Sequence, residues 1–317
     1  MKKLVSLVLA LILCLSCVSA LAAEAWTVTC PWAPSGVAAM VNQKAASLST
    51  TYSQDYVLVA NAEKGDTATI NSWLTKYTEA DPQMCFIGEG MFGITAILDP
   101  ERMNFTYDDF KYVENLYSSI FVASARKELG ITSIDALKAY LEEGNQIMVG
   151  TNGATGSEAF LAAALIGAMG YGDQFYLIPY ESAAEAAQAV ARGEVDIAVS
   201  HQSQILETWQ QGGVDVFAAF DGEPIAQGPF KGVEGVGQYG YPYFRNRCFI
   251  FAKAGADEQK IADLKALYAQ ILTDEEMVDW LNNTMLLEAD MMTEEEVIAH
   301  IDNVKNIVEE YYDLVAE

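Results

Sequence analysis

Short hydrophobic segments alternate with helix-compatible segments along the first third of the chain. Residues 26–30 and 56–60 are rich in β-favouring side chains, and each precedes a segment with few helix breakers, at 37–48 and 66–77. A further hydrophobic run follows at 84–87. Strands that alternate with helices are typical of a parallel sheet covered by helices on both faces. The pattern therefore predicts a first α/β unit.

The same alternation returns with a different sequence beyond residue 120. Predicted strands lie at 120–123, 146–149, 176–178 and 195–199, with helices that begin at Ser133, Ser157 and Ser182. After a Gly- and Pro-rich stretch at 221–242, the pattern predicts a strand at 248–252 and three acidic amphipathic helices near 257–272, 274–283 and 293–315. These segments indicate a second α/β unit and a return to the first.

Two α/β units that are joined by two crossing segments predict a two-lobed α/β fold. We place the first lobe at 23–121 and the second at 122–245, and residues 246–317 return to the first lobe with the C-terminal helices. Each lobe is expected to hold a mostly parallel sheet with helices on both faces. The two crossing segments are expected to form a two-segment hinge.

The N-terminus has the three-part pattern of a secretory signal. Lys2 and Lys3 precede an apolar run at 4–18, and small residues then end at Ala22. We predict a signal peptide at 1–22 and export to the periplasm or the cell surface. The alternative is a lipid anchor at Cys17, although a lipidation signal usually has an aliphatic residue where this chain has Cys14.

Charge and composition exclude several classes of partner. Acidic residues number 44 against 18 basic residues, a formal net charge of -26, and loss of Lys2 and Lys3 leaves 16 basic residues and a charge of -28. So acidic a protein has little affinity for nucleic acid or for anionic membrane surfaces. The three cysteines beyond the signal, Cys30, Cys85 and Cys248, are too few and too widely spaced for a disulfide framework or a zinc site, and we expect buried thiols. With two histidines in the chain, we predict no metal and no cofactor.

Three loops after predicted strands combine glycine with polar side chains. The candidate ligand-binding residues are Trp32, Ser35, Gly36 and Val37 in the first loop, Glu89 in the second, and Thr151, Asn152, Thr155, Gly156 and Ser157 in the third. Ligands bind beyond the carboxyl ends of parallel strands, where helix N-termini present unpaired amides. The alternative is that the first and third loops are ordinary turns with N-caps. Glu89 either selects a cation or an amine, or is a solvated loop acid.

His201 follows an apolar strand and is a candidate for the cleft, beside Ser200. The alternative is a hydrogen-bonded structural histidine. Catalysis by His201 with Ser200 or Ser203 requires an orienting acid that the sequence does not place, and no GxSxG or HExxH pattern occurs. We therefore predict a non-catalytic protein and keep a secreted hydrolase or transferase as an alternative.

At these loops the chain resembles the extracytoplasmic receptors of tripartite tricarboxylate transporters. The matching segments are 28–36 (VTCPWAPSG), Asn61 with Gly65, Gly156 with Ser157, 178–182 (IPYES, which contains Tyr180), 193–196 and 251–255. The resemblance implies a type II-like periplasmic binding protein that captures a small organic solute, commonly a carboxylate, between its lobes and delivers it to membrane transporter subunits. It also implies ligand contacts from Ser35, Gly36 and Val37, from Thr155, Gly156 and Ser157, and from Ser200.

Two positions depart from the family pattern. The first loop usually continues into Thr-Asp, where this chain has Ala38 and Ala39, and the helix after the Gly/Ser loop often carries a histidine where Phe160 stands. These changes make a typical dicarboxylate or tricarboxylate less favoured, and Trp32 with Phe160 would suit a ligand with an apolar part. We expect a monomer. A sensory module that presents its ligand to a membrane kinase would have the same fold and is a further alternative.

Overall fold

The computed structural model describes residues 23–315, so the predicted signal peptide and Cys17 lie outside the described residues. The strands are β1 (Glu24–Cys30), β2 (Tyr56–Ala62), β3 (Gln83–Gly88), β4 (Phe110–Ser119), β5 (Phe121–Arg126), β6 (Ile147–Asn152), β7 (Phe175–Tyr180), β8 (Ile197–His201), β9 (Val214–Ala219), β10 (Asn246–Lys253) and β11 (Glu288–Ala289). The helices are α1 (Val37–Tyr52), α2 (Thr67–Lys76), α3 (Ile134–Glu142), α4 (Ser157–Ala168), α5 (Ala183–Ala191), α6 (Gln202–Gln210), α7 (Glu258–Leu272), α8 (Glu275–Asp279), α9 (Glu294–Glu310) and α10 (Tyr312–Val315). A π-helical turn at Met91–Thr95 continues into the short helix Ala96–Leu98.

The strands form two sheets, one in each lobe. The first-lobe sheet has the order β11-β4-β10-β3-β1-β2, and the second-lobe sheet has the order β7-β6-β8-β5-β9. In each sheet an early strand lies between two parallel neighbours, β1 between β2 and β3 and β6 between β7 and β8. Beside these parallel strands, β10 in the first sheet lies next to β3, and β5 in the second lies next to β8. Both β10 and β5 are antiparallel to the strands on either side of them. Both sheets are therefore mixed, which corrects the expectation of mostly parallel sheets: each incorporates an antiparallel strand where the chain enters from the other lobe.

Two segments connect the lobes and lie side by side. The first passes from β4 to β5 through the single residue Ile120, and the second enters β10 at Asn246. Asn246 pairs with Ser119 in the first-lobe sheet, and Phe121 pairs with His201 in the second. The two crossing segments therefore pair with each other on the first-lobe side, whereas β5 pairs with β8 on the second-lobe side. The sequence-based lobe boundaries at 121/122 and 245/246 stay predictions.

Hydrophobic cores fill both lobes, and helix α9 contributes to each. Val297 and Ile301 in its first half pack against the first-lobe sheet, whereas Val304 and Val308 in its second half belong to the second-lobe core. The turn Met91–Thr95 lies against this helix so closely that a Cβ atom at Gly93 would approach Val304 Cγ1 to 2.5 Å. The last long helix therefore spans the two lobes.

Most predicted elements are present with shifted ends, and several local predictions are confirmed. Helices begin near Ser133 and Ser182 as predicted, and the side chains of these two serines cap α3 and α5. Cys30, Cys85 and Cys248 are buried free thiols. The sequence pattern missed β4, α6 and β9. Within residues 23–315, none of the helices combines the length and the apolar character that a membrane crossing requires.

Candidate functional site

A cavity of about 560 Å³ lies between the two lobes. Its walls are segments that follow the carboxyl ends of β1, β2 and β3 in the first lobe and of β6, β7 and β8 in the second. Ligands of open α/β sheets bind at this end of the strands. A cavity of this volume suits a small organic molecule.

The N-terminus of helix α1 brings unpaired backbone amides to the first-lobe wall. Gly36 occupies the N-cap, offers no side-chain oxygen, and precedes a first turn without acidic residues. The amides of Val37, Ala38 and Ala39 come before the first intrahelical bond, which Met40 donates to the Gly36 carbonyl. Val37 and Ala38 are buried and line the cavity. The positive end of the helix dipole therefore faces the cavity, and no acceptor from the described residues is bonded to it.

Helix α4 begins at the second-lobe wall with the same backbone arrangement and a different side chain. Its N-cap, Gly156, also lacks a capping side chain, but Glu158 lies in the first turn. Glu158 is 6% exposed and lines the cavity. Burial raises its pKa to about 7; the charge of Glu89 also raises it, and hydrogen bonds from its own amide and from the Asn152 side chain oppose the shift. The N-terminus of α4 therefore already has a carboxyl group of the protein beside it.

Glu89, the first residue after β3, is completely buried. One carboxylate oxygen accepts hydrogen bonds from Ser157 Oγ at 3.1 Å and from Asn246 Nδ2 at 2.9 Å, and the other accepts one from the Arg247 amide at 2.8 Å. Burial nevertheless outweighs these bonds and raises the pKa of Glu89 to about 6. The expectation of a solvated loop acid is therefore wrong. Since Ser157 belongs to the second lobe, Glu89 connects the lobes.

Gly90 allows the lobes to approach each other at this point. A Cβ atom on Gly90 would lie 2.7 Å from Ser157 Oγ and 3.8 Å from the Ser157 amide nitrogen. Any larger residue would therefore displace Ser157 or separate the two walls.

Charged side chains join the lobes at the edge of the cavity. Arg102 donates to Thr155 Oγ1 at 2.9 Å and also contacts Asp66 at 3.3 Å, while Lys64 forms an ion pair with Glu181 at 2.7 Å. Lys64 and Arg102, the two cations that line the cavity, are thus already paired with acids. Burial raises the pKa of Asp66 even though Arg102 lowers it.

His201 lies at the crossing between the lobes and is held there by a hydroxyl group. Its Nδ1 is 2.8 Å from Ser119 Oγ, and its ring packs against Phe121 with 4.6 Å between centroids. Burial lowers its pKa to about 3, so the imidazole is neutral at physiological pH. The hydroxyls of Ser200 and Ser203 form no hydrogen bond with any described residue. This geometry does not assemble the nucleophile, base and acid that the hydrolase alternative requires.

Residues 54–307 match the sequence model of the tripartite tricarboxylate transporter family receptor. The match covers well over half of the chain. The chain belongs to this receptor family. The predicted resemblance to this family is therefore confirmed, although the first motif, at 28–36, precedes the matched residues. No curated protein sequence matches the receptor.

Several solved structures have the same fold as the receptor. MatC from Rhodopseudomonas palustris with bound malate is 17% identical, with 92% of this chain and 98% of that chain covered and a TM-score of 0.76. A second R. palustris protein, with adipate, is 15% identical, with coverage of 92% and 96% and a TM-score of 0.80. The periplasmic binding protein BugD is 16% identical, with coverage of 92% and 98% and a TM-score of 0.79. The expected two-lobed periplasmic binding protein architecture is confirmed.

The receptor brings most of the predicted site residues to the cavity wall. Those that line it are Trp32, Gly36, Val37, Glu89, Asn152, Thr155, Gly156, Ser157, Tyr180 and His201. Ser35, Thr151 and Ser200 do not line it. Ser35 is exposed, and the Thr151 hydroxyl donates to the Gly153 carbonyl at 2.7 Å. The ligand roles of all these residues stay predictions.

Phe160 does not lie where its alignment with a family cleft residue suggested. It is buried in the second-lobe core and stacks on Phe244 with 6.2 Å between ring centroids. Of Trp32 and Phe160, only Trp32 lines the cavity. An apolar part of a solute would therefore meet Trp32 and not Phe160.

Sequence reasoning missed several residues of the cavity wall, including Lys64, Asp66, Arg102, Glu158 and Asn246. Glu158 directly follows a predicted site residue, so its position in the first turn of α4 was the available signal. Arg102 ends a 3₁₀ turn of the first lobe, outside the Gly-rich loops. Asn246 lies at the wall because the second crossing segment enters β10 there.

Proposed function

We propose that this receptor captures a small organic solute that carries a carboxylate, outside the cytoplasm and as a monomer, and delivers it to the membrane subunits of its transporter. The observation that carries the proposal is the N-terminus of α1, where the amides of Val37 and Ala38 lie at the cavity wall without an acceptor. Buried amides are rarely left unpaired, and a helix N-terminus favours an anion. The bound malate of MatC and the adipate of the second R. palustris protein are both carboxylates, which supports the same ligand chemistry here.

Binding would be coupled to closure of the lobes. The contacts of Glu89 with Ser157 and of Arg102 with Thr155 form only when the walls are close. A solute that touches both walls binds best to that closed state and therefore increases its population. The hydroxyls of Thr155 and Ser157 thus have a role in closure, apart from any contact with the solute.

A proline substitution at the start of helix α1 tests the carboxylate site. Proline is tolerated at the first position of a helix, where it removes one amide without breaking an intrahelical bond. Val37→Pro is expected to weaken binding of the carboxylate by about 1.5 to 3 kcal/mol, roughly 10-fold to 150-fold, in isothermal titration calorimetry. Glu275→Pro, at the first position of α8, is the matched control because Glu275 is exposed and α8 lies away from the cavity.

Two outcomes would contradict the proposal. One is the absence of binding, for the unmodified receptor, across a thermal-shift screen of small organic acids and amino acids. The other is a ligand whose affinity is the same for Val37→Pro and Glu275→Pro. A true ligand at about 100 times its dissociation constant adds about 2.7 kcal/mol of stability, which is readily detected.

A further inference from the structure

The carboxyl group of Glu158 lacks a cationic partner. Glu158 is more than nine-tenths buried and lines the cavity, and no cation of the described residues is paired with it. The donors that favour its ionised form are its own backbone amide and the side chain of Asn152. Glu89, in contrast, accepts three hydrogen bonds from Ser157, Asn246 and Arg247. Glu158 is therefore the buried carboxyl group that is still available to a ligand.

The surroundings of Glu158 are acidic or neutral on every side. Glu89 and Asp66 are the charged groups that raise its pKa. Lys64 and Arg102 are paired with Glu181 and Asp66 at the edge of the cavity. Burial also keeps the nearby Cys248 and Tyr117 in their neutral forms, with pKa values raised well above the usual range. No protein cation therefore compensates Glu158.

We propose that the solute of this receptor carries an ammonium group, which Glu158 binds, in addition to the carboxylate that binds at the N-terminus of α1. This inference rests on the proposed function and specifies its substrate class as a small amino acid or a related zwitterion. The two walls then present opposite charge to the solute: unpaired backbone amides on the first-lobe side and a carboxylate on the second-lobe side. A second carboxylate on the solute would instead meet the buried negative charge of Glu158 with Glu89 behind it, which is unfavourable in a site shielded from water.

Matched pairs of ligands test the inference. The probes are the L-amino acids, β-alanine and γ-aminobutyrate, each compared with the carboxylic acid that has the same carbon skeleton and no amino group. The receptor is expected to bind at least one amino compound at least about 10-fold more tightly than its desamino partner, because the charge pair with Glu158 is lost in the latter. Titration calorimetry with the full mature chain gives both affinities.

Glu158→Gln separates this inference from the function on which it rests. The variant is expected to lose the preference for the amino compound and to bind the desamino acid at least as well as the unmodified receptor. Glu142→Gln is the matched control, because Glu142 is an exposed acid of the same lobe that does not line the cavity. Thermal unfolding of each variant checks that it is folded.

The pH dependence of affinity is an independent test of the ammonium site. An ammonium ligand should bind more tightly as the pH rises from 5.5 to 8, since Glu158 and Glu89 ionise in that interval. A solute without the amino group should show the opposite trend. Tight binding of desamino acids that Glu158→Gln does not change would overturn the ammonium assignment and leave the receptor function intact. Failure of both ligand classes to bind would overturn the two together.

Discussion

The N-termini of helices α1 and α4 face the same cavity and differ in whether the first turn carries an acid. Both follow a strand of a parallel pair, both have an extended glycine at the N-cap, and neither has a side-chain cap. The first turn of α1 contains no acid, whereas that of α4 contains the buried Glu158. A helix end by itself attracts anions. Under the proposed ligand assignment, a single first-turn residue reverses the charge that this helix end binds.

The largest effect on affinity is expected when the charge at the N-terminus of α4 is reversed. Glu158→Lys replaces the carboxylate with a cation beside Glu89, so an ammonium ligand would meet a like charge. We expect its affinity to fall by about 100-fold or more, the range seen when a buried charge pair is broken. Dicarboxylates should gain affinity in the same titrations. A variant that retains its preference for the amino compound would contradict the assigned roles of the two walls.

The stability of the ligand-free receptor should depend on pH through the carboxyl groups of Glu158 and Glu89. The folded-state pKa values of Glu158 and Glu89 lie above the ordinary value of 4.5, at about 7 and about 6. Their contribution is therefore fully present below pH 4.5 and is lost as the pH rises through 6 to 7. For Glu158 the difference between 4.5 and about 7 corresponds to about 3.5 kcal/mol, at about 1.4 kcal/mol per unit of pKa.

Thermal unfolding measured between pH 5 and pH 8 checks this expectation. Burial lowers the pKa values of His201 and His300 to about 3, so these two residues add stability as the pH rises toward 6.5 and oppose the trend. The contribution of Glu158 is therefore measured as a difference: the melting temperature of Glu158→Gln relative to the unmodified receptor should increase from pH 5 to pH 8. A difference that stays constant over this interval would refute the raised pKa of Glu158.

A smaller effect is expected when the walls are kept apart. Gly90→Ala places a methyl group 2.7 Å from Ser157 Oγ, which weakens the bond between Ser157 and Glu89. Overpacking typically costs about 1 to 3 kcal/mol, and here it destabilises the closed state. We therefore expect affinity for any solute to fall by a similar amount. Gly172→Ala is the control, because a Cβ at Gly172 meets no atom within 4 Å. Equal affinities for the two variants would show that close approach at Gly90 is not needed.

The smallest effect should come from the rim of the cavity. Lys64 and Glu181 form an ion pair whose side chains are 53% and 79% exposed. Exposed pairs contribute about 0 to 1 kcal/mol. Lys64→Met should therefore change solute affinity by less than about 5-fold, and added salt should reduce even that difference. A larger loss would place Lys64 in the ligand site and weaken the contrast between the two helix ends.

The sequence predicts the strands and helices that follow a simple periodicity. It misses those that are stabilised by residues distant in the sequence. Strand β4 contains Lys111, Glu114 and Asn115, which interrupt its hydrophobic pattern. In the structure the Glu114 carboxylate accepts hydrogen bonds from the amides of Asn115 and Met292. Met292 is 178 residues away, so no local pattern contains this information.

The candidate site shows the same division between local and distant information. The Gly-rich loops were recognisable because glycine before a helix leaves amides unpaired. Ser35 belongs to such a loop and yet is exposed away from the cavity. Glu158 has the pattern of an ordinary first-turn acid, which normally stays in water. Its burial results from the approach of the other lobe through Gly90 and Glu89, which the sequence pattern does not reveal.

The anchoring of helix α9 in both cores has a consequence for how occupancy is communicated. Met91 and Thr95 line the cavity, while Gly93 on the same turn touches Val304 of the helix. Relative rotation of the lobes must therefore tilt this helix or slide it along one core, since Val297 and Val304 cannot both follow the same lobe. A spectroscopic label on Asn306, which is exposed and does not line the cavity, would then report whether a solute is bound.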